Sequence, residues 1–117
     1  MLTWAAHHGQ AEAVRLLLEG GASVGATNGD GVSALSMACY MGHLEIAQLL
    51  RNAGADIDQA MYDGCTPLFV ACQNGHLECA RLLSGAGADI NQAKENGVTP
   101  LFMACQEGHP ECVRLLF

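Results

Sequence analysis

Cysteine and histidine recur at fixed positions in this 117-residue chain. The segment TPLFVACQNGHLECARLL (66–83) returns 33 residues later as TPLFMACQEGHPECVRLL (99–116), and each copy carries two cysteines and one histidine. Thiolates and imidazoles are the usual zinc ligands, and a thiol beside an imidazole can act as a nucleophile. The first question is whether these residues form a reactive site or pack the repeats together.

The residues that other repeats hold in place of cysteine indicate that these positions serve packing. Cys79 and Cys112 occupy a repeat position that holds Ala13 and Ile46 elsewhere, which points to a small apolar slot. Free cysteine behaves as a small hydrophobe in such slots. A second repeat position, on the predicted buried face of a helix, is shared by Cys39, Cys72 and Cys105.

The spacing of possible ligands does not ensure that they converge. Cys72, His76 and Cys79 lie on both sides of a predicted helix break, so a shared metal ion is not implied. The histidine directly follows the glycine of that break, a place suited to supporting the backbone. We predict no metal, no cofactor and no catalytic residue, and therefore no enzyme; a Cys/His metal or thiol site is kept as a third alternative.

Every residue of the chain fits a 33-residue period. Gly9, Gly42, Gly75 and Gly108 mark it, and several leucine, alanine and glutamate positions keep the same step. A fixed period of this length is typical of repeat architectures. We predict a single repeat domain over 1–117, divided into a partial repeat (1–24), two full repeats (25–57 and 58–90) and a second partial repeat (91–117), the chain being a fragment of a longer array.

Each repeat is predicted to contain two helices and a loop. Thr66 is suited to cap the first helix, and Pro67 occupies the first helical position, where its missing N–H costs nothing. Gly75 ends that helix and a second one follows. The dipeptides Asp63-Gly64 and Asn96-Gly97 favour tight turns, so the loops are predicted to project as hairpin-like fingers.

These motifs together resemble the ankyrin repeat. Thr-Pro-Leu-x-x-Ala, Gly-His-x-Glu, Leu-Leu and Gly-Ala-Asp-Ile-Asn occur in one register over the whole chain. The family histidine after leucine is replaced here by Thr3, Ser36, Phe69 and Phe102. The resemblance implies an all-α repeat solenoid whose function is non-catalytic binding of a protein partner, without a small-molecule substrate. The alternative is a structural scaffold or spacer segment of a larger ankyrin-containing protein.

Charge narrows the class of partner. The net charge is −7, with 12 acidic residues against 5 lysines and arginines. A chain without clustered basic residues is poorly suited to bind nucleic acid, and no apolar run is long enough to predict membrane insertion. The predicted loops and first-helix ends are acidic, with Lys94 as their only base. We therefore expect a partner of neutral-to-basic surface and, without a secretory signal, an intracellular location, cytoplasmic or nuclear.

The resemblance implies that a partner contacts the finger tips and the inner ends of the first helices. Tyrosine and methionine are prominent there, and both are suited to interface contacts. The corresponding positions in other repeats hold small or polar residues, so the frame does not demand them. The predicted acidic, concave binding face comprises Tyr40, Met41, Met61, Tyr62, Asp63, Cys65, Gln73, Asn74, Glu95, Val98, Gln106 and Glu107.

Overall fold

The computed structural model describes residues 1–117 and contains eight short helices. They follow one another in pairs, as the predicted repeats require. Their bounds are α1 (Leu2–His7), α2 (Ala11–Glu19), α3 (Ala34–Met41), α4 (Leu44–Asn52), α5 (Pro67–Gln73), α6 (Leu77–Gly85), α7 (Pro100–Gln106) and α8 (Pro110–Leu116).

The helices stack in two rows. The inner row is α1, α3, α5 and α7, each packed on the next, and the outer row is α2, α4, α6 and α8. The stack measures 39 × 24 × 23 Å. Leu35 and Leu68 from the inner row and Leu50 and Leu83 from the outer row are buried between the rows. This arrangement confirms the predicted all-helical repeat fold.

Side-chain caps begin the inner helices at the predicted positions. The hydroxyl of Thr66 accepts a hydrogen bond from the Phe69 N–H at 3.2 Å, and Thr99 does the same for Phe102. Ser33 caps α3 in the same way. Each cap satisfies one of the N–H groups that a helix start leaves unpaired.

The glycine and histidine of the Gly-His motif connect neighbouring repeats. Nε2 of His76 donates to the Tyr40 carbonyl at 3.0 Å, and Nε2 of His109 donates to the Gln73 carbonyl at 3.0 Å. A Cβ atom on Gly75 would lie 2.6 Å from the ring of His109. Each motif histidine thus supports the backbone of the preceding repeat, and the glycine leaves room for the ring.

Three tight turns project beside the inner row, over residues 27–33, 60–66 and 93–99. In the second turn the Met61 N–H donates to the Cys65 carbonyl, and the Lys94 N–H donates to the Val98 carbonyl in the third. Gly64 and Gly97 have positive φ angles of 86° and 87°, which the predicted Asp-Gly and Asn-Gly turns require. The turns are hairpin-like, with one isolated β-bridge and no strand.

The outer row presents a charged exterior. Exposed ion pairs join a glutamate to the arginine three residues later in three of the four outer helices. Exposed pairs of this kind contribute little, on the order of 0.2–0.5 kcal/mol each. The outer helices therefore offer a solvated surface on which Leu16 of α2 is the exposed large apolar side chain, whereas Trp4, Tyr40, Met41, Tyr62 and Phe102 are exposed on the inner helices and turns.

Candidate functional site

A groove runs between the inner helices and the projecting turns. We call the surface formed by α1, α3, α5, α7 and the three turns the groove face. Three depressions open on it, with volumes of about 430, 220 and 310 Å³. Each depression is lined by residues of the inner helices, of the turns or of both.

The middle depression, which we call the Ser36 pocket, has a volume of about 220 Å³. Tyr40 of α3 and Met61 of the second turn, two of the predicted site residues, both line it. Its wall is almost entirely apolar, with Ser36 in the floor. The complete lining is His7, Val32, Ser36, Met37, Tyr40, Met61 and Val70.

The neighbouring depression, which we call the Asp pocket, is acidic. Asp30 and Asp63 line it together with Tyr62, and it shares Val32 and Met61 with the Ser36 pocket. The Cys65 backbone N–H donates to Asp63 Oδ1 at 3.0 Å, and this hydrogen bond lowers the pKa of Asp63. An apolar pocket and an acidic pocket are thus adjacent on one surface.

Tyr62 is held in place and remains accessible. Its ring lies against Gly31, where a Cβ atom would come within 2.7 Å of the ring carbons. The side chain is nevertheless 78% exposed. Tyr62 therefore packs on the preceding turn, while most of its surface is free for contact.

The remaining predicted site residues are spread along the groove face and its edges. Asn74 Nδ2 donates to the Tyr40 carbonyl at 2.9 Å, so its amide braces the two repeats. Gln73 and Val98 are half-buried. Exposed side chains are those of Met41, Glu95, Gln106 and Glu107. None of these residues lines the Ser36 pocket or the Asp pocket.

Cys65 is buried, and this removes it from the accessible surface. Its exposure is 5%, because it lies at the base of the second turn. Burial, together with the nearby Asp63 carboxylate, raises the pKa of its thiol to about 11. The placement of Cys65 among the accessible binding residues is corrected accordingly.

Four other buried cysteines form two contacts between repeats. Cys39 on α3 hydrogen-bonds Cys79 on α6, and Cys72 on α5 meets Cys112 on α8 in the same way. The hydrogen bond to Cys79 and burial raise the pKa of Cys39, and burial raises that of Cys72 to about 12. The raised pKa values of Cys39 and Cys72 disfavour their thiolates, the form that attacks or binds metal, whereas the hydrogen bond with Cys39 lowers the pKa of Cys79.

Cys105 differs from its repeat equivalents, because it is exposed. Cys39 and Cys72 are each covered by the outer helix of the following repeat, and no helix pair of the structure packs beyond α7 and α8. The predicted burial of this position is therefore wrong for Cys105. The sequence pattern shows the position within a repeat but not whether a neighbour covers it.

Cys72, His76 and Cys79 do not converge. Cys72 faces Cys112, His76 bonds a backbone carbonyl and Cys79 faces Cys39. No group of three or more histidine, cysteine, aspartate or glutamate side chains is placed to hold a metal ion. None of the eight helices has the length and apolar character needed to cross a membrane.

Thiol reactivity provides a direct check of this arrangement. With Ellman's reagent at neutral pH, we expect one thiol of the folded chain to react rapidly and the other five slowly, since only Cys105 is exposed. Unfolding in denaturant should release all six. The substitution Cys105→Ser should remove the rapid phase; a second rapid thiol in that variant would contradict the buried placement of the others.

Trp4 is a prominent groove residue that the sequence reasoning did not single out. It is 56% exposed and lines the largest depression with Thr3, Asn28 and Met37. Its ring centroid lies 4.5 Å from that of His8. The available signal was its repeat position, which holds methionine or valine in the other repeats and lines a depression again at Met37 and Val70.

Paired helices stacked in two rows, with projecting turns, define a helical-repeat solenoid. The family model described as ankyrin repeats (3 copies) matches residues 1–61 and 58–117. The chain therefore belongs to the ankyrin-repeat family, which confirms the resemblance seen in its sequence. A search of curated proteins finds no significant match. Ankyrin repeats are generally protein–protein interaction modules, and the family fold is non-catalytic.

Proposed function

We propose that this ankyrin-repeat chain binds a partner protein through its groove face, without catalysing a reaction. The observation that carries the proposal is the grouping of Tyr40, Met61, Tyr62 and Asp63 around two adjoining pockets. Tyr40 is 50% exposed and Tyr62 is 78% exposed. Tyrosine is enriched among the residues that dominate binding energy at protein interfaces.

The frame beneath these residues favours binding because it is already ordered. Hydrogen bonds from His76 to the Tyr40 carbonyl and from Asn74 to the same carbonyl fix the end of α3. In the turns, the Glu95 N–H donates to the Asp63 carbonyl and ties the second turn to the third. Little conformational entropy is then lost on docking, which leaves more of the contact energy as affinity.

The charge of the groove face supports a neutral-to-basic partner. Asp30, Asp63 and Glu95 are exposed along the turns. Lys94 is the only base there, and its Nζ lies 5.6 Å from the centroid of the Phe69 ring, a cation–π contact. Lys94 also interacts electrostatically with Asp63, so one base stands against these three acids, and a partner with basic groups would balance the excess.

The proposed contact surface extends beyond this centre. It includes the predicted residues that remain accessible, namely Met41, Gln73, Asn74, Glu95, Val98, Gln106 and Glu107, and excludes the buried Cys65. An intracellular location belongs to the same proposal, since all six cysteines are free and reducing compartments keep thiols in that state.

Affinity capture from a cell lysate tests the proposal. The native chain is compared with a Tyr40→Ala, Tyr62→Ala, Asp63→Ala triple variant, and we expect the variant to lose the captured protein while keeping the native circular dichroism spectrum. A triple alanine variant of Glu45, Gln48 and Asn52, exposed residues of α4, serves as the matched control and should capture as the native chain does.

Two outcomes count against the proposal. Equal capture by the native chain and both variants would place the interaction outside the groove-face centre and favour the scaffold or spacer alternative. Loss of the folded spectrum in the groove variant alone would show that Tyr40 and Tyr62 serve packing.

A further inference from the structure

The Ser36 pocket exists because one repeat lacks a side chain that the next repeat has. Ser36 and Phe69 occupy the same repeat position, and so do Met61 and Lys94 above them. In the later repeat the Phe69 ring is 1% exposed beneath Lys94, and none of the five pockets of the molecule is lined by Phe69. In the earlier repeat serine leaves that space open under Met61.

Folding stability does not account for the serine. Ser36 Oγ is the one buried side-chain polar atom that has no hydrogen-bond partner within the chain. Buried hydroxyls normally have a partner, and open apolar space beside them forfeits packing contacts. Phe69 shows that the repeat can fill the space. A locally unfavourable choice beside an accessible cavity indicates a binding role, since activity often costs stability.

The Asp pocket determines the charge beside the Ser36 pocket. Asp30 and Asp63 open beside the Ser36 pocket, which shares Val32 and Met61 with it. No lysine or arginine lines either pocket, and the nearest turn base, Lys94, is placed over Phe69 in the following repeat. Lys94 interacts electrostatically with Asp63, but a single base leaves the pair of carboxylates with a net negative charge, which favours a cationic group at this place.

We propose that the Ser36 pocket receives a large apolar side chain from a partner segment, and that an adjacent lysine or arginine of the segment is held between Asp30 and Asp63. This inference rests on the proposed function and specifies the partner's chemistry. The occupant should be about the size of the phenyl ring that Phe69 has and Ser36 lacks. Because the two pockets share a wall, its apolar side chain and its basic side chain should lie close together. Tyr40 and Met61 close over the apolar side chain from either side.

Selection from a phage-displayed library of random peptides tests the inference. We expect the peptides enriched on the native chain to share a large apolar residue close to a lysine or arginine. An enriched peptide is then synthesised, and its dissociation constant is measured by fluorescence anisotropy against the native chain and its variants. The probe is thus a defined peptide, and no natural partner needs to be known.

Filling the pocket should abolish recognition of the apolar side chain. For Ser36→Phe, which copies the residue of the next repeat, we expect binding to weaken about 10- to 100-fold, the loss of one buried apolar side chain. Ser36→Leu is the second filler, used if the phenylalanine variant does not fold. Gln48→Phe adds the same ring on the exposed side of α4 and should bind the peptide as the native chain does.

Removing the charges tests the second half of the inference. The double variant Asp30→Asn, Asp63→Asn should weaken the basic peptide about tenfold, and it should have no such effect on a peptide whose lysine or arginine is replaced by glutamine. Asparagine keeps an oxygen that can accept the Cys65 N–H, so the turn is preserved.

Each remaining outcome is decisive. Enriched peptides without the apolar residue, or undiminished binding by the folded Ser36 fillers, overturn the inference while the proposed function stands. The same holds if no peptide is enriched although lysate capture depends on Tyr40, Tyr62 and Asp63. If capture is also independent of those residues, the proposed function fails as well.

Discussion

The substitution Gly75→Val should lower the free energy of unfolding by about 2–5 kcal/mol, from two additive sources. Gly75 has a φ of +73°, a left-handed conformation that costs a residue with a side chain on the order of 1–2 kcal/mol. Its Cβ would also lie 2.6–3.1 Å from the His109 ring, and overpacking of this kind costs roughly 1–3 kcal/mol. The ring is not free to move, because its Nε2 bonds the Gln73 carbonyl at 3.0 Å.

Gly108 provides the matched control. It occupies the same repeat position with a φ of +75°, but no atom lies within 4 Å of its Cβ site. Gly108→Val should therefore show the conformational cost alone, about 1–2 kcal/mol. Urea unfolding followed by circular dichroism measures both variants. Equal loss of stability in the two variants would show that Gly75→Val does not clash with His109. A double-mutant cycle in which His109→Ala restores stability to the Gly75 variant would confirm the clash.

The substitution Phe69→Ala should lower the free energy of unfolding by about 3–5 kcal/mol, the usual cost of truncating a buried phenylalanine. The ring, which belongs to α5, is 1% exposed and is covered by Lys94 of the next turn. Its removal leaves a cavity and deprives Lys94 of its aromatic contact. We expect the third turn to unfold together with helices α5 to α8.

Phe102 is the control for this variant, since it has the same repeat position and the same N-cap but is 56% exposed. Phe102→Ala should change stability by no more than about 0.5 kcal/mol, as surface substitutions usually do. Thermal unfolding of both variants compares them under one condition. Equal destabilisation would mean that Phe102 is packed in solution, against the placement described above.

The local features of the fold were predictable because they depend on neighbours in sequence. Thr66 and Thr99 cap their helices through an N–H only three residues away. Gly64 and Gly97 take the positive φ angles that tight turns need. The histidine role was predictable as well, since a residue that follows each helix-ending glycine in every complete repeat is better explained by the frame than by a reaction.

The errors occurred where equivalent residues differ in their surroundings. Cys105 repeats Cys72 in sequence, yet one is exposed and the other is buried against Cys112. Cys65 was placed among the residues of the binding face, yet it is 5% exposed at the base of the second turn. Periodicity assigns a residue to a position in a repeat, but coverage of that position depends on the helix pair that lies beside it.

The candidate site was likewise predictable in part. Its tyrosines and methionines could be selected from sequence, because they depart from the small and polar residues of the other repeats. Their grouping into an apolar pocket beside an acidic one could not, because it depends on the space left where serine stands in place of phenylalanine.

By itself, the sequence determined the period, the helix pairs, the caps and turns and the family, since each of these rests on spacing along the chain. Only the tertiary structure decided which cysteines are covered, that Trp4 and Ser36 line the groove and that Asp30 and Asp63 share a pocket. The physical reason is that burial and cavity shape depend on side chains brought together from different repeats, about one 33-residue period apart.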